Sequence, residues 1–209
     1  MVEARLNDGT PLTNISNDAQ WPVFYTDPAY CWFEFETKNK DLYGALYNGR
    51  AVLTQKLAPK GWRVPTIEDI GKLIKQVDPE ASLTAGFPSS LAYQFPPREW
   101  IRATQVTGAR LKAKGIAHWE GTDESGFSAL PASFRQTSAW GDIILGDAPF
   151  PDFYRMNAVF WTSTQFSFPG HISVLNNRLY RLLISGEANM FNDLVHSSEG
   201  NSVRCLMSN

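Results

Sequence analysis

The chain is poor in the features that mark several classes of protein. Its 209 residues contain two cysteines, and no run of lysine or arginine exceeds two residues. A net charge of −2 without basic runs lacks the electrostatic pattern that binds a phosphate backbone, so nucleic acid is not expected as a partner. Since no stretch of about 18 apolar residues occurs, we expect no membrane-spanning helix.

The first twenty residues also lack the apolar core of a secretion signal. We therefore expect any export or anchor signal of the native protein to lie outside this chain. Cys31 and Cys205 are too few for a disulfide scaffold, and without other ligands they are too few for a zinc site. Two separate buried thiols and a single bridge that closes almost the whole chain are both compatible with the sequence.

The composition favours a folded, loop-rich domain. Hydrophobic residues make up 43% of the chain and charged residues 19%, a balance typical of an ordered globular protein. Aromatic residues, 13% of the chain, often stand beside Gly, Asn, Ser or Pro. The sequence predicts an extended lead-in over residues 1–27, packed on one domain that spans residues 28–209.

One helix is predicted clearly, from Thr66 to Val77. Its apolar residues recur at the spacing of an amphipathic face, Thr66 can cap the first turn, and Asp69 partly forms a capping box. A second helix is predicted over residues 98–106, after two prolines. From Gly108 onwards, short apolar runs alternate with turn residues, which is typical of strands and loops. The predicted class is therefore α+β, with one or two helices and a mostly antiparallel, loop-rich sheet.

Six strings, in this order and spacing, carry a family resemblance: PAYCWF (28–33), YGALYN (43–48), LAPKGWRVPTIED (57–69), GTDESGFSALPASFR (121–135), FWTSTQ (160–165) and GNSVRC (200–205). Over about residues 28–206 the chain resembles the Fibrobacter succinogenes major paralogous domain family. The resemblance implies a C-type-lectin-like fold, of the subclass related to formylglycine-generating enzymes. It also implies a binding role, because this family supplies variable proteins of diversity-generating retroelements, in which a rigid frame carries side chains rewritten by directed mutagenesis.

The resemblance places the ligand-binding tail at about residues 160–203. Family frame residues are kept at Trp161, Ser163, Thr164, Tyr180, Arg181, Leu183, Gly200, Ser202, Val203, Arg204 and Cys205. Between them the chain departs from the family pattern, at Ile184, Gly186, Glu187, Phe191, Asp193, Leu194, Val195, His196 and Glu199. Either diversification or ordinary drift explains such departures.

The predicted ligand is a protein partner or receptor, bound by an exposed apolar patch with polar edges. The predicted ligand-binding residues are Phe166, Phe168, His171, Leu182, Ile184, Ser185, Glu187, Asn189, Phe191, Asp193, Leu194, His196 and Asn201. Such a module is expected at a cell surface or on a phage virion. The alternative is an undiversified adhesion or structural domain of the same family.

No residue is predicted to be catalytic, and no metal or cofactor is predicted. Asp123 and Glu124 stand between glycines, where acids usually form turns and cap backbone N–H groups instead of catalysing proton transfer. The three histidines are too scattered for a metal triad, and the two cysteines do not match the paired thiols of formylglycine-generating enzymes. The calcium-binding strings of sugar-binding lectins are also missing.

Two further predictions concern packing. Trp62 and Val64 are predicted to lie in the core, with Pro65 ending their strand before the Thr66 cap. In the strand LYRLLIS, alternation places Leu179, Arg181 and Leu183 on one face and Tyr180, Leu182 and Ile184 on the other. The sequence leaves open which face is buried.

Overall fold

A computed structural model describes residues 4–17, 19–21, 26–85, 99–102, 105–135, 156–166, 178–185 and 190–208. Its helices are α1 (Lys40–Tyr43), α2 (Gly49–Leu53), α3 (Ile67–Val77) and α4 (Gln105–Leu111), with 3-10 turns at Phe33–Phe35 and Thr37–Asn39. Its strands are β1 (Thr13–Asn14), β2 (Ala29–Trp32), β3 (Ala45–Asn48), β4 (Trp62–Arg63), β5 (Ser82–Ala85), β6 (Glu99–Arg102), β7 (Asn157–Phe166), β8 (Arg178–Ser185), β9 (Met190–His196), β10 (Gly200–Asn201) and β11 (Leu206–Met207).

Helix α3 forms where its spacing predicts it, because side chains close its first turn. The Thr66 hydroxyl accepts a hydrogen bond from the Asp69 N–H at 3.3 Å, and the Asp69 carboxylate accepts one from the Thr66 N–H at 2.8 Å. This reciprocal pair satisfies two N–H groups that the start of a helix leaves unbonded. The predicted helix is confirmed, with Thr66 as its cap and Val77 as its last residue.

The second predicted helix is wrong over its first half. Residues 99–102 form strand β6, which pairs antiparallel with β5, and the helix begins only at Gln105. Trp100 and Ile101 have residue types that suit a strand. Pairing with β5 supplies their backbone hydrogen bonds, and local periodicity cannot foresee such a partner.

Helix α2 follows β3 directly. The Asn48 side chain caps this helix by accepting a hydrogen bond from the Ala51 N–H at 3.0 Å. The same side chain accepts from the Ala29 N–H at 3.1 Å and donates to the Asp27 carbonyl at 2.8 Å. One buried amide therefore joins the start of α2 to strand β2.

The strands form small sheets that are mostly antiparallel. One sheet has the order β1-β2-β3-β10, another the order β7-β8-β9, and β4 with β11 and β5 with β6 form two separate pairs. The parallel pair β1–β2 brings part of the predicted lead-in beside the first family motif. The α+β class is confirmed, whereas the C-type-lectin-like fold stays a prediction.

The largest core cluster lies between α3 and the β7-β8-β9 sheet. Ile70 and Ile74 of α3 pack there with Ala158 of β7 and with Leu182 and Ile184 of β8. This packing buries the apolar face of α3 that its spacing predicts. No helix in the described ranges is long and apolar enough to cross a membrane.

Candidate functional site

The predicted ligand-binding tail includes the β7-β8-β9 sheet. Strand β8 is central, and its pairing with β9 runs from Arg178 opposite His196 to Ile184 opposite Met190. The two strands form an antiparallel pair, here called the β8–β9 hairpin (residues 178–196). Residues 186–189 join its strands at one end, and residues 197–202, here called the closing turn, follow its other end.

Strand β7 is tied to the body of the molecule by family frame residues. The Trp161 indole is buried and donates a hydrogen bond to the Tyr47 carbonyl at 2.7 Å. The Thr164 hydroxyl accepts from the Ile67 N–H at 3.0 Å, at the start of α3. The Ser163 hydroxyl lies 3.2 Å from the Val64 carbonyl. These bonds hold β7 against both β3 and α3, so β8 is paired with a fixed neighbour.

Strand β8 is buried on both faces. Leu179 packs with Trp161 and Val195 on one side, and Leu182 and Ile184 join the core beneath α3 on the other. The prediction that Leu182 and Ile184 belong to an exposed binding patch is therefore wrong, since both are fully buried. A strand that is covered on both faces carries a nearly continuous apolar run, and LYRLLIS has that composition.

Arg181 occupies the middle of β8 and is held by a buried acid. Its Nη1 lies 2.7 Å from the Glu199 Oε2 and 3.4 Å from the Asn201 Oδ1, and its guanidinium lies 4.7 Å from the centre of the Phe134 ring. The side chains of Arg181 and Glu199 are only 7% and 9% exposed. Because a buried charge needs a partner, the pair couples β8 to the closing turn. Sequence reasoning placed Glu199 among the departing residues and missed this role.

The closing turn is buried along its whole length. Trp21 donates from its indole to the Ser198 carbonyl at 2.9 Å, and the backbones of Arg135 and Gly200 exchange hydrogen bonds at 2.7 and 2.8 Å. Asn201 is fully buried, so its prediction as a ligand-binding residue is wrong. Its backbone pairs with β3, which places the residue in β10, the last strand of the four-stranded sheet.

His196 ends β9 and is half-buried. Its Nδ1 accepts a hydrogen bond from the Ser198 N–H at 3.2 Å and lies 2.8 Å from the Ser198 hydroxyl. Nδ1 of His196 therefore bonds within the chain to Ser198, which is part of the closing turn.

The other predicted ligand-binding residues divide into two groups. Five lie in strands whose backbone alone is described at these positions: Phe166, Ser185, Phe191, Asp193 and Leu194. Three of them lie along β9, since Phe191, Asp193 and Leu194 pair with Leu183, Arg181 and Tyr180 of β8. Four lie outside the described residues: Phe168, His171, Glu187 and Asn189.

The predicted turn at Asp123 is confirmed. Its carboxylate accepts hydrogen bonds from the N–H and the hydroxyl of Ser128, at 2.8 and 2.5 Å. Glu124 instead pairs with Arg110, at 2.8 Å. The two neighbouring acids thus have separate structural partners.

One of the two core predictions for the GWRVPT string is wrong. Val64 is buried, but Trp62 is 44% exposed. Strand β4 pairs only with the short strand β11 among the described strands, and the β11 residues Leu206 and Met207 are themselves exposed. Trp62 therefore lies outside the main cores.

No disulfide bridge joins Cys31 and Cys205, which decides between the two alternatives that the sequence left open. Cys31 is buried in a cluster with Trp21 and Leu46. Cys205 is partly buried, and burial raises the pKa of its thiol. Within the described residues, no three His, Cys, Asp or Glu side chains are grouped closely enough to hold a metal ion.

Comparison with known proteins identifies the family. The family model described as the Fibrobacter succinogenes major domain matches residues 1–207. The chain belongs to this family. The match to the Fibrobacter succinogenes major domain begins at residue 1, whereas the six motifs begin at residue 28, so it also includes the predicted lead-in. No curated protein and no solved structure matches the chain.

Proposed function

We propose that this Fibrobacter succinogenes major domain is a non-catalytic binding module that recognises a protein partner through the β8–β9 hairpin. The binding residues lie at the end of β8, in the connection that follows it and in β9: Ser185, Glu187, Asn189, Phe191, Asp193 and Leu194. The observation that carries this proposal is the anchoring of the hairpin. The closing turn and the Arg181–Glu199 pair are buried at its base, and β8 is buried on both faces.

Such anchoring suits recognition for a physical reason. A rigid scaffold tolerates changes in the segments it displays, because those segments contribute little to the core. It also reduces the entropy lost when a partner binds, since the backbone around the site is already ordered. Among the described strands, β9 is hydrogen-bonded to β8 alone, and β6 lies near it.

The absence of catalysis is part of the proposal. Asp123 and Glu124 are occupied by Ser128 and Arg110, so they do not form an acid–base pair. Cys31 lies in a buried cluster that does not include Cys205. Neither arrangement supplies an activated nucleophile.

We further propose that the displayed residues are diversified by a retroelement. DNA sequencing around the gene tests this directly. We expect a reverse-transcriptase gene and a near-copy of the tail that differs from it at adenines. If both are missing, the diversification proposal fails, while the binding proposal stands.

One observation favours the alternative, an undiversified adhesion or structural domain. Three of the residues that depart from the family pattern, Ile184, Val195 and Glu199, are buried parts of the frame. Random substitution at any of these positions would disrupt packing, so drift with compensating changes explains them better than diversification.

Randomisation tests whether the proposed binding residues are separate from the frame. One library varies Glu187, Asn189, Phe191, Asp193 and Leu194, and a matched library varies Leu182, Ile184, Arg181, Glu199 and Asn201. We expect most members of the first library to resist proteolysis like the parent chain, and few members of the second. Specific binders to unrelated test proteins should come from the first library alone. Equal loss of folding in both libraries would contradict the proposal.

A further inference from the structure

A concave surface, separate from the β8–β9 hairpin, lies between the C-terminal half of α3, helix α4 and the turn that contains Asp123. It is an open pocket of about 310 Å³, lined by Leu73, Gln76, Val77, Arg110, Glu124 and Ser125. This volume is at the lower end of small-molecule sites. None of the lining residues belongs to the proposed protein-binding hairpin.

The polar wall of this pocket is held in place by contacts on three sides. Arg110 donates from Nη1 to the Val77 carbonyl at 2.7 Å, and its Nε lies 2.8 Å from the Glu124 carboxylate. The Ser125 hydroxyl donates to the Arg110 carbonyl at 2.7 Å. A guanidinium and a carboxylate are thus fixed side by side before any ligand arrives, which lowers the entropic cost of binding.

The charges of the wall select a ligand class. Glu124 would repel a purely anionic ligand, and Arg110 would repel a purely cationic ligand. A ligand with both charges can satisfy both side chains. In the described part of the chain, the Val77 carbonyl accepts one of the five guanidinium N–H groups and Glu124 forms an ion pair at Nε, so other N–H groups are available for a ligand carboxylate.

We propose that this pocket binds a free α-amino acid with an aliphatic side chain. The ligand carboxylate accepts hydrogen bonds from Arg110, the ligand ammonium donates to Glu124, and the aliphatic group packs on Leu73 and Val77. The side chains of Arg110 and Glu124 are 36% and 58% exposed, so water screens both charges. The expected dissociation constant is therefore on the order of 1 mM.

Titration of the ¹⁵N-labelled full chain with L-leucine tests the site by NMR. The backbone amides of Val77, Arg110 and Ser125 report on the pocket. N-acetyl-L-leucine lacks the ligand's positive charge, L-leucinamide lacks its negative charge, and glucose tests a neutral polyol. We expect saturable shifts with leucine, with affinity about tenfold weaker for each singly charged probe and no saturation by glucose.

Matched variants separate the charge requirement from a fold defect. Glu124→Gln removes one charge at an exposed position, and Glu120→Gln removes one from an exposed residue outside the pocket lining. Glu124→Gln should weaken leucine binding about tenfold and strengthen N-acetyl-L-leucine binding, because the carboxylate that repels this anion is gone, whereas Glu120→Gln should change neither. The proposal is overturned if leucine gives no saturable shift up to about 20 mM, if the singly charged probes or glucose bind equally well, or if Glu124→Gln binds leucine normally. Asp193→Ala should leave leucine binding intact, which distinguishes this site from the hairpin.

Discussion

Two of the arginine–acid pairs in the described part of the chain lie in contrasting settings. Arg63 and Asp69 are six residues apart at the start of α3, and their side chains are 41% and 14% exposed. Arg181 and Glu199 join a central strand to the closing turn, where both are almost completely buried. The first pair strengthens a structure that a short sequence pattern already specifies. The second pair exists only because the tertiary structure brings its two residues together.

This contrast sets different energetic consequences. An exposed ion pair contributes little, because water solvates both charges when the pair breaks. The attraction within a buried pair stabilises the fold only modestly, because both charges have lost their hydration. Removing one partner destabilises the fold much more, because the remaining charge stays buried away from water. Removing one residue of the buried pair should therefore destabilise the fold more than removing both charges together.

The largest expected effect is that of Glu199→Ala. It leaves Arg181 buried without its carboxylate, so the free energy of unfolding should fall by about 3–5 kcal/mol, as measured by urea denaturation. The double variant Arg181→Leu with Glu199→Leu should recover most of this loss, because neither charge is then buried. A double variant as unstable as Glu199→Ala would show that burial of the Arg181 charge without the Glu199 carboxylate is not the cause.

Gly200→Ala tests the packing of the closing turn. An added Cβ would lie 2.7 Å from the Trp21 ring and 2.9 Å from the Arg135 Cβ, which is closer than packed carbon atoms approach. We expect a loss of about 1–3 kcal/mol in urea denaturation. In a Trp21→Leu background the same change should cost less, and an unchanged cost would place the strain elsewhere.

Lys112 gives a smaller effect with a defined pH dependence. It is fully buried and lies 4.5 Å above the centre of the Trp119 ring. Burial, opposed by Glu120, lowers its pKa from 10.5 to about 8. Because the unfolded chain binds this proton more tightly, Lys112 destabilises the fold below about pH 8, and this penalty diminishes as the pH rises towards 10.5.

The check compares urea midpoints of the parent chain and Lys112→Met from pH 7 to pH 10. The advantage of Lys112→Met should shrink by about 1–2 kcal/mol over this range. Lys114→Met alters an exposed lysine and should show no such trend. A constant difference between the parent chain and Lys112→Met would contradict the assignment.

Asp69→Asn has the smallest expected effect, about 1 kcal/mol at neutral pH. The Arg63 guanidinium and the Thr66 N–H hold the pKa of Asp69 well below its usual 3.8. A depressed pKa stabilises the fold above about pH 4, and this contribution is lost as the pH falls through the folded-state pKa. The stability difference between the parent chain and Asp69→Asn should therefore narrow from pH 5 to pH 2. A difference that widens on acidification would be inconsistent with this role.

Sequence reasoning succeeded where neighbouring residues decide the outcome. The α3 capping box, the Asp123 turn and the family motifs all depend on residues a few positions apart. Reasoning failed at Leu182, Ile184 and Asn201, which lie in a segment that the family resemblance marks as variable. Their burial depends on α3 and on β3, elements more than one hundred residues earlier in the chain.

The amino-acid sequence by itself determined the family, the α+β class and helix α3, because periodicity, capping and ordered motifs are properties of the chain. Only the tertiary structure decided that Leu182, Ile184 and Glu199 also belong to the frame of the predicted tail. It buried β8 on both faces and paired Arg181 with Glu199, since burial depends on what packs from elsewhere. The proposed binding residues are consequently confined to the last residue of β8, the connection that follows it and β9.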